Sequence, residues 1–419
     1  MSVQQPLSLT RRARMSVAER LLFGAAARLR FGALEIRMPG QPPRLFSGPE
    51  PGPTGVLEIR DRQVFRRLLS RGDLGFAEAY IAGEWTSPDL TTLLMCLGIN
   101  LDSFQSMERG RAFLRWGQAL YQRLARRNHR AGSRRNIAYH YDLGNDFYSL
   151  WLDPAMTYSA ANYPTGKEDL TTAQLLKYDR LLAKTGAGPG DHILEVGCGW
   201  GGFAIRAAQT LGCRVTGITV SREQLAWARQ RAEEAGVSHR VEFLLQDYRD
   251  LREQFDHIIS IEMFEAVGEA YWSSYFQVLR NCLRPGGRVV LQIITIDEQH
   301  FERYRKDVDF IRKYIFPGGV LPSPDALAQC YQSAGFHASE SEFRGRDYAR
   351  TLSLWAQRFE ASRAQVSEQG FGEDFLRMWH YYLAYCEAGF LSGRIDLLQT
   401  VLALDADGER SLDGGPANV

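Results

Sequence analysis

Three glycines at alternate positions, Gly197, Gly199 and Gly201, lie in the stretch HILEVGCGWGGFAIR, residues 192–206. Ile193, Leu194 and Val196 before them read as a short buried strand. Phe203, Ala204 and Ile205 after them open a helical pattern. A strand that breaks on glycines and runs into a helix lets a ligand come close to the backbone. Glu195, just before the turn, is placed for its carboxylate to hold a ligand amine. The spacing alone leaves a second reading open, because glycine-rich turns also simply connect elements.

The strand after the turn discriminates between ligands. A dinucleotide-binding fold carries an Asp or Glu about 20 residues beyond the turn, for the ribose hydroxyls. This chain has Thr219, Ser221 and Gln224 there, at the end of RVTGITV, residues 214–220. Glu195 also stands just before the turn, where a ligand amine can be held. Both points argue against NAD and toward S-adenosylmethionine (SAM). A third strand, 241–245, runs into Gln246 and Asp247, where an adenine would be held, followed by Tyr248. A fourth, 255–261, is followed by Glu262, Met263, Phe264 and Glu265. Pro285, Gly286 and Gly287 read as a turn before a fifth strand, 288–296. Strands alternating with helices in one run imply an α/β fold, a parallel sheet covered on both faces.

The 419 residues make two domains the natural expectation. A composition of 45% hydrophobic and 24% charged residues is that of a soluble protein, and a formal net charge of +1 says nothing about partners. The six cysteines form no CxxC pair, which fits neither a zinc site nor a disulfide framework, so they read as reduced thiols of a cytoplasmic protein. No apolar run is long enough to span a bilayer, and the short apolar stretch 21–27 is not read as a signal peptide.

Taken in order, 18–31 reads as a helix, 33–38 and 55–59 as strands flanking a Pro/Gly-rich loop, and 64–69, 74–81 and 90–97 as helices. This is a small α+β domain without a chemical constellation, a scaffold or docking module. Residues 109–135 then carry nine arginines, with no Asp or Glu between Glu108 and Asp142. Phe113, Trp116, Leu120 and Leu124 set an apolar stripe beside that cationic face. Three readings compete for it: an interfacial helix on anionic lipid, a solvated linker helix, and a nucleic-acid surface. No recognisable nucleic-acid-binding module accompanies the charge, so nucleic acid is not expected as a partner.

Residues 138–163 interleave seven aromatics with His140, Asp142, Asn145 and Asp146. They read either as core or as a ligand lid whose ring faces stabilise a cation. After the core, 375–390 and 395–404 are apolar on much of their circumference and read as buried helices or the walls of an apolar cavity. Residues 406–419 are a polar tail.

Residues from about 136 to 404 resemble the cyclopropane-fatty-acyl-phospholipid synthases, which include the mycolic acid methyltransferases. The resemblance is carried by YHYDLGNDFYSLWLDPAMTYS, LEVGCGWGG, GITVSREQ, LQDYRD, MFEAVG, KYIFPGG and DYARTLSLW. The N-terminal GDLGFAEAYIAGEWTSPDL also looks like the smaller domain of bacterial members. The resemblance implies a Rossmann-like SAM-methyltransferase fold with a doubly wound sheet and a smaller N-terminal α+β domain. The expected boundaries are 1–130 for the docking domain with its basic helix, 131–405 for the methyltransferase domain and 406–419 for the tail. The implied chemistry is methyl transfer to the cis double bond of an unsaturated phospholipid acyl chain, at the inner face of an anionic membrane. A homodimer is a further expectation. The implied SAM ligands are Tyr158, Ser159, Glu195, Gly197, Gly199, Gly201, Thr219, Ser221, Gln224, Gln246 and Asp247. A bound bicarbonate, held by Glu265 and Tyr348, is implied as the base.

Two positions depart from the family pattern. Ala160 stands where the family usually has cysteine, and Gln292 where it usually has histidine, both in the bicarbonate pocket. Glutamine donates a hydrogen bond but carries no charge. Ring closure and a methyl- or methylene-branched product therefore both stay open. His140 either orients the lid or satisfies a local hydrogen bond. Cys386 occupies a segment where the family has a cysteine once thought catalytic, although the chemistry needs no thiol nucleophile. The alternative function is SAM-dependent methylation of a soluble small molecule, which needs a polar acceptor and a general base.

Overall fold

The structure, a computed structural model, describes residues 15–101 and 143–404. The chain divides into two compact units, Met1–Gly110 and Arg111–Val419. His140, the arginine-rich stretch 109–135 and the tail 406–419 lie outside the described residues.

In the first unit, Ser16 and Glu19 form a capping box that starts helix α1 (Val17–Ala26). Strands β1 (Phe31–Arg37), β2 (Arg44–Ser47) and β3 (Glu50–Ile59) follow. Helix α2 (Gln63–Ile81), the short strand β4 (Trp85–Thr86) and helix α3 (Leu90–Ile99) complete the described part of the unit. The sheet order is β2-β1-β3-β4, with β1 and β3 parallel and the outer pairings antiparallel. Helix α2 breaks at Gly72, whose φ of 60° and ψ of −138° separate the two helical runs expected there. The expected loop between the first two strands is instead β2 and the start of β3. Its glycines permit close strand approach rather than a turn: a Cβ on Gly52 would lie 2.7 Å from the backbone nitrogen of Gly32.

The described part of the second unit begins with helices α4 (Asn145–Ser149) and α5 (Leu170–Thr185). Then come β5 (His192–Val196), α6 (Gly202–Thr210), β6 (Arg214–Thr219), α7 (Arg222–Glu234), β7 (Val241–Leu245) and β8 (Phe255–Ile261). They are followed by α8 (Trp272–Cys282), β9 (Leu283–Ile296), α9 (Glu298–Tyr304), α10 (Pro324–Ser333) and β10 (Phe336–Phe343). The last described elements are α11 (Gly345–Ala361), α12 (Arg363–Glu368), α13 (Glu373–Leu391) and β11 (Ile395–Leu404). The seven strands run in the order β10-β11-β9-β8-β5-β6-β7. Strands β5 to β9 pair in parallel, while β11 pairs antiparallel with both β9 and β10.

Alternate residues of these strands enter opposite layers, as the two-residue period of a strand requires. Leu194, Ile258, Val289 and Leu291 join the layer of α8 and α10. Ile193, Ile259, Val290 and Val401 join the layer of α5, α6 and α7. The sheet is thus doubly wound. After β7 the chain returns to the other side of β5 to form β8, so strand order reverses between β5 and β8. In open α/β sheets, ligands bind in the crevice at the carboxyl ends of strands at such a point.

Two expectations need correction. Residues 395–404 form β11, not a helix. The strand lies between β9 and β10 and is buried on both faces, so its sequence is almost continuously apolar, a pattern that periodicity cannot tell from a buried helix. The turn expected at 285–287 lies within β9, where the register against β8 shifts between Phe255 and His257 and Gly286 takes a φ of 77°. No helix among the described residues is long and apolar enough to cross a membrane.

Candidate active site

The carboxyl edge of β5 carries the glycine turn. Gly197 and Cys198 donate their N–H groups to the Ile218 carbonyl at 3.0 and 2.9 Å, tying the turn to β6. All three glycines have positive φ, but their surroundings differ. A Cβ on Gly197 would meet Met263 Cγ at 2.5 Å, and one on Gly201 would meet Phe243 Cζ at 2.7 Å. A Cβ on Gly199 would meet nothing within 4 Å. Packing therefore accounts for two of the glycines, and Gly199 borders open space at the start of α6.

Glu195 is only 3% exposed. The Ala204 N–H donates to its carboxylate, and its Oε2 has no partner. Burial pushes its carboxyl well above the usual range, against the pull of Lys177. An orphaned carboxylate oxygen beside an open glycine turn suits a cationic amine such as that of SAM, so the residues present fit this ligand. Lys177 is fully buried, donates to Ser159 Oγ at 2.7 Å and is pushed down to about 8 by burial, against the opposing effect of Glu262, Asp153 and Glu195. The sequence reading passed over Lys177. Its signal was its place in the buried stripe of α5, with Ala173, Gln174, Tyr178 and Leu181.

The remaining SAM candidates line the same edge. The Thr219 hydroxyl donates to Gln224 Oε1 at 2.9 Å and accepts from the Ser221 N–H at 3.1 Å, while Ser221 caps α7. The Gln246 N–H donates to the Thr219 carbonyl at 2.9 Å. Asp247 is 3% exposed and receives the Arg249 guanidinium on both oxygens, at 2.8 and 2.6 Å. The hydroxyls of Tyr158 and Tyr382 lie 2.7 Å apart.

Two of the catalytic candidates, Gln292 and Tyr348, converge on a residue not among them. Glu262, at the end of β8, accepts from the Ala160 N–H at 2.8 Å and Gln292 Nε2 at 2.7 Å on one oxygen. Its other oxygen accepts from the Tyr348 hydroxyl at 2.6 Å. Tyr348 is stacked on Phe390 with ring centroids 4.4 Å apart, and burial keeps its hydroxyl protonated. Glu265 accepts from the Ile294 N–H at 2.6 Å through one oxygen, and its other oxygen, Oε2, is buried without a partner. Burial, and then the Glu262 charge, push Glu265 up to about 8. Burial likewise raises Cys386, with Asp309 adding to it, so its thiol stays protonated at neutral pH.

Rings wall this edge. Tyr158 lies 5.5 Å from Tyr148, 5.5 Å from Trp151 and 5.4 Å from Trp355, centroid to centroid. Phe316 faces Tyr158 and Tyr382, each at 6.3 Å. Trp151 and Trp355 are fully buried.

Comparison with known proteins agrees with this geometry. The profile of the mycolic acid cyclopropane synthetase family matches residues 128–400. The tuberculostearic acid methyltransferase UfaA1 of Mycobacterium tuberculosis is 41% identical over 365 residues, 83% of this chain and 85% of that protein. The cyclopropane-fatty-acyl-phospholipid synthase of Escherichia coli is 35% identical over 350 residues, 83% of this chain and 87% of that protein. The solved mycolic acid cyclopropane synthase CmaA1, complexed with SAH and CTAB, matches with a TM-score of 0.61 at 32% identity, covering 64% of this chain and 97% of that one. The chain belongs to the mycolic acid cyclopropane synthetase family and is a SAM-dependent methyltransferase.

Proposed function

We propose that this enzyme methylates the cis double bond of unsaturated acyl chains in membrane phospholipid. The observation that carries the reading is the ring of Tyr148, Trp151, Tyr158, Phe316, Trp355 and Tyr382 around an edge where Glu262 is held by three protein donors and Glu195 and Glu265 are buried. Such a wall offers a polar acceptor little to bind. It excludes water and presents ring faces to positive charge developing on an alkene carbon, each worth about 0.5–2 kcal/mol.

SAM, when bound, supplies an electrophilic methyl group. Glu195, Ser159 and the Gly197–Gly201 turn would hold it, with Thr219, Gln224, Gln246 and Asp247 along the adjoining strand ends. The alkene pair forms the new carbon–carbon bond, and positive charge appears on the neighbouring carbon. A proton then leaves the transferred methyl group where the product is a cyclopropane or, after a hydride shift, a methylene branch; a methyl branch keeps all three methyl hydrogens.

The arginines of 109–135 support docking on anionic lipid, with each basic residue near the surface contributing about 1 kcal/mol. Binding to vesicles should therefore strengthen with anionic lipid content and weaken with salt. The deciding experiment is mass spectrometry of membrane fatty acids after turnover with methyl-deuterated SAM. Acyl chains that gain the methyl carbon support the reading: two of its three deuterium atoms retained mark a ring or methylene branch, and three mark a methyl branch. An unchanged fatty-acid profile, despite SAM binding, overturns it in favour of a soluble acceptor.

A further inference from the structure

We propose that the carboxylate of Glu262 is the base that takes the proton from the transferred methyl group, in place of the bicarbonate that the family resemblance implies; this rests on the acyl-chain reading above. The donors decide it. The resemblance places the anion among the segments of Ala160, Gln292, Tyr348 and Glu265. Here the Ala160 N–H, the Gln292 amide and the Tyr348 hydroxyl all point at Glu262, at 2.8, 2.7 and 2.6 Å. The residues present therefore do not fit a bound bicarbonate, because the protein's own carboxylate holds the position that an anion would occupy.

Charge gives the same answer. Glu265, the fourth member of the pocket, is pushed up to about 8 by burial and by Glu262 beside it, so it keeps its proton at neutral pH. Burial raises Glu262 too, but three donors and the Lys177 cation oppose that rise. Of two neighbouring carboxyls, the one with more donors is the one that ionises. A further anion in this pocket would meet a charge already present.

The backbone gives independent support. Glu262 has a φ of 52°, a left-handed conformation shared, among described non-glycine residues, only by Met156. An outlier held by three side-chain hydrogen bonds at a strand end next to the glycine turn points to function. The neighbouring Met263 lies so near that turn that a Cβ on Gly197 would touch it at 2.5 Å. Glu262 Oε2 receives the Tyr348 hydroxyl and retains a lone pair for a proton.

The step balances without an outside reagent. The alkene takes the methyl group, and the sulfur keeps the pair of the broken bond. Glu262 then accepts one methyl proton and later releases it to solvent. The C–H pair closes onto the cationic carbon as a ring or, after hydride shift, becomes the double bond of a methylene branch.

The test uses the full chain with vesicles of a cis-monounsaturated phospholipid and SAM, in buffer stripped of carbon dioxide, with and without added bicarbonate. Wild-type turnover should change by less than about twofold on adding bicarbonate. Glu262→Gln should lose at least about 100-fold in kcat, the scale of a general base, with SAM affinity within about threefold of wild type. Glu262→Gly relieves the left-handed backbone and so should fold, and it should gain turnover on addition of bicarbonate or formate. Severalfold stimulation of the wild type by bicarbonate, or near-wild-type turnover by Glu262→Gln, overturns the assignment while leaving the acyl-chain reading intact. A wild type that leaves every acyl chain unchanged overturns that reading, and the assignment with it.

Discussion

Gln399 donates its side-chain amide to Gln292 Oε1 at 2.7 Å, and that bond decides which end of Gln292 faces Glu262. The orientation is imposed from further out. Arg180 has only donors, so Gln399 must turn its oxygen to Arg180 Nε, 3.3 Å away, and its nitrogen to Gln292. Gln292 is then left with its own nitrogen toward Glu262. Replacing Gln399 by Glu offers acceptors only, which turns the Gln292 amide around and withdraws a donor from Glu262. The expected result is a roughly tenfold fall in kcat, equivalent to about 1.4 kcal/mol. KM and SAH affinity should stay unchanged; a parallel loss in both would mean general disruption instead.

The glycines of the turn should separate binding from folding. Gly199→Ala places a methyl in open space at a φ of 51°, which costs about 1–2 kcal/mol of backbone strain. It should fold yet bind SAM at least about tenfold more weakly by calorimetry. Gly201→Ala drives a Cβ into Phe243 at 2.7 Å and Ala228 at 3.0 Å, on top of the same strain. Its main effect should be a lower Tm, with about 1–3 kcal/mol lost to overpacking alone.

SAM affinity should rise with pH. Burial holds the folded Glu195 carboxyl well above the usual range, and a cationic amine placed beside it favours the ionised form. Lys177, pushed down to about 8, sheds its competing charge in the same direction. Affinity should therefore climb from neutral to mildly alkaline pH. Glu195→Gln should bind about tenfold more weakly, or worse, and its slope should be shallower, leaving the part due to Lys177. An equal slope in the variant would remove Glu195 from the linkage.

Acid should weaken the β10 edge. Burial raises Glu342, but Arg180, Lys184 and Arg344 outweigh it and bring the carboxyl down to about 2, against an ordinary value of 4.5. Lys184 and Arg344 lie 3.1 and 2.9 Å from it. A carboxyl lowered on folding stabilises the protein fully above its unfolded value, and that stability disappears as pH falls from about 4.5 toward 2. Glu342→Gln should lower stability by about 1–3 kcal/mol at neutral pH, and the difference should vanish at the acid end of a denaturation series.

Much of the fold was legible because its signals are local. The glycine turn, the five parallel strands and the break at Gly72 follow from short apolar runs and from glycine placement. Strand β11 was misread because a strand buried on both faces lacks alternation. Strand β2 was missed because glycines that allow strands to approach look like turn glycines. At the site, motif positions marked the pocket but not its wiring. Glu262 followed a recognised strand, yet nothing local says that its side chain curls back to meet Ala160, Gln292 and Tyr348. Lys177 and Gln399 act across long sequence separations, and only the folded sheet brings them in.

Strand β11 is the last strand among the described residues, yet it sits inside the sheet, between β9 and β10. A nascent chain emerging from the ribosome can form the glycine turn long before residues 395–404 exist. Until they arrive, β9 and β10 must keep a slot open, and Gln292 has no neighbour to orient it. Competence for chemistry is thus withheld until residues 395–404 have been made and have entered the sheet.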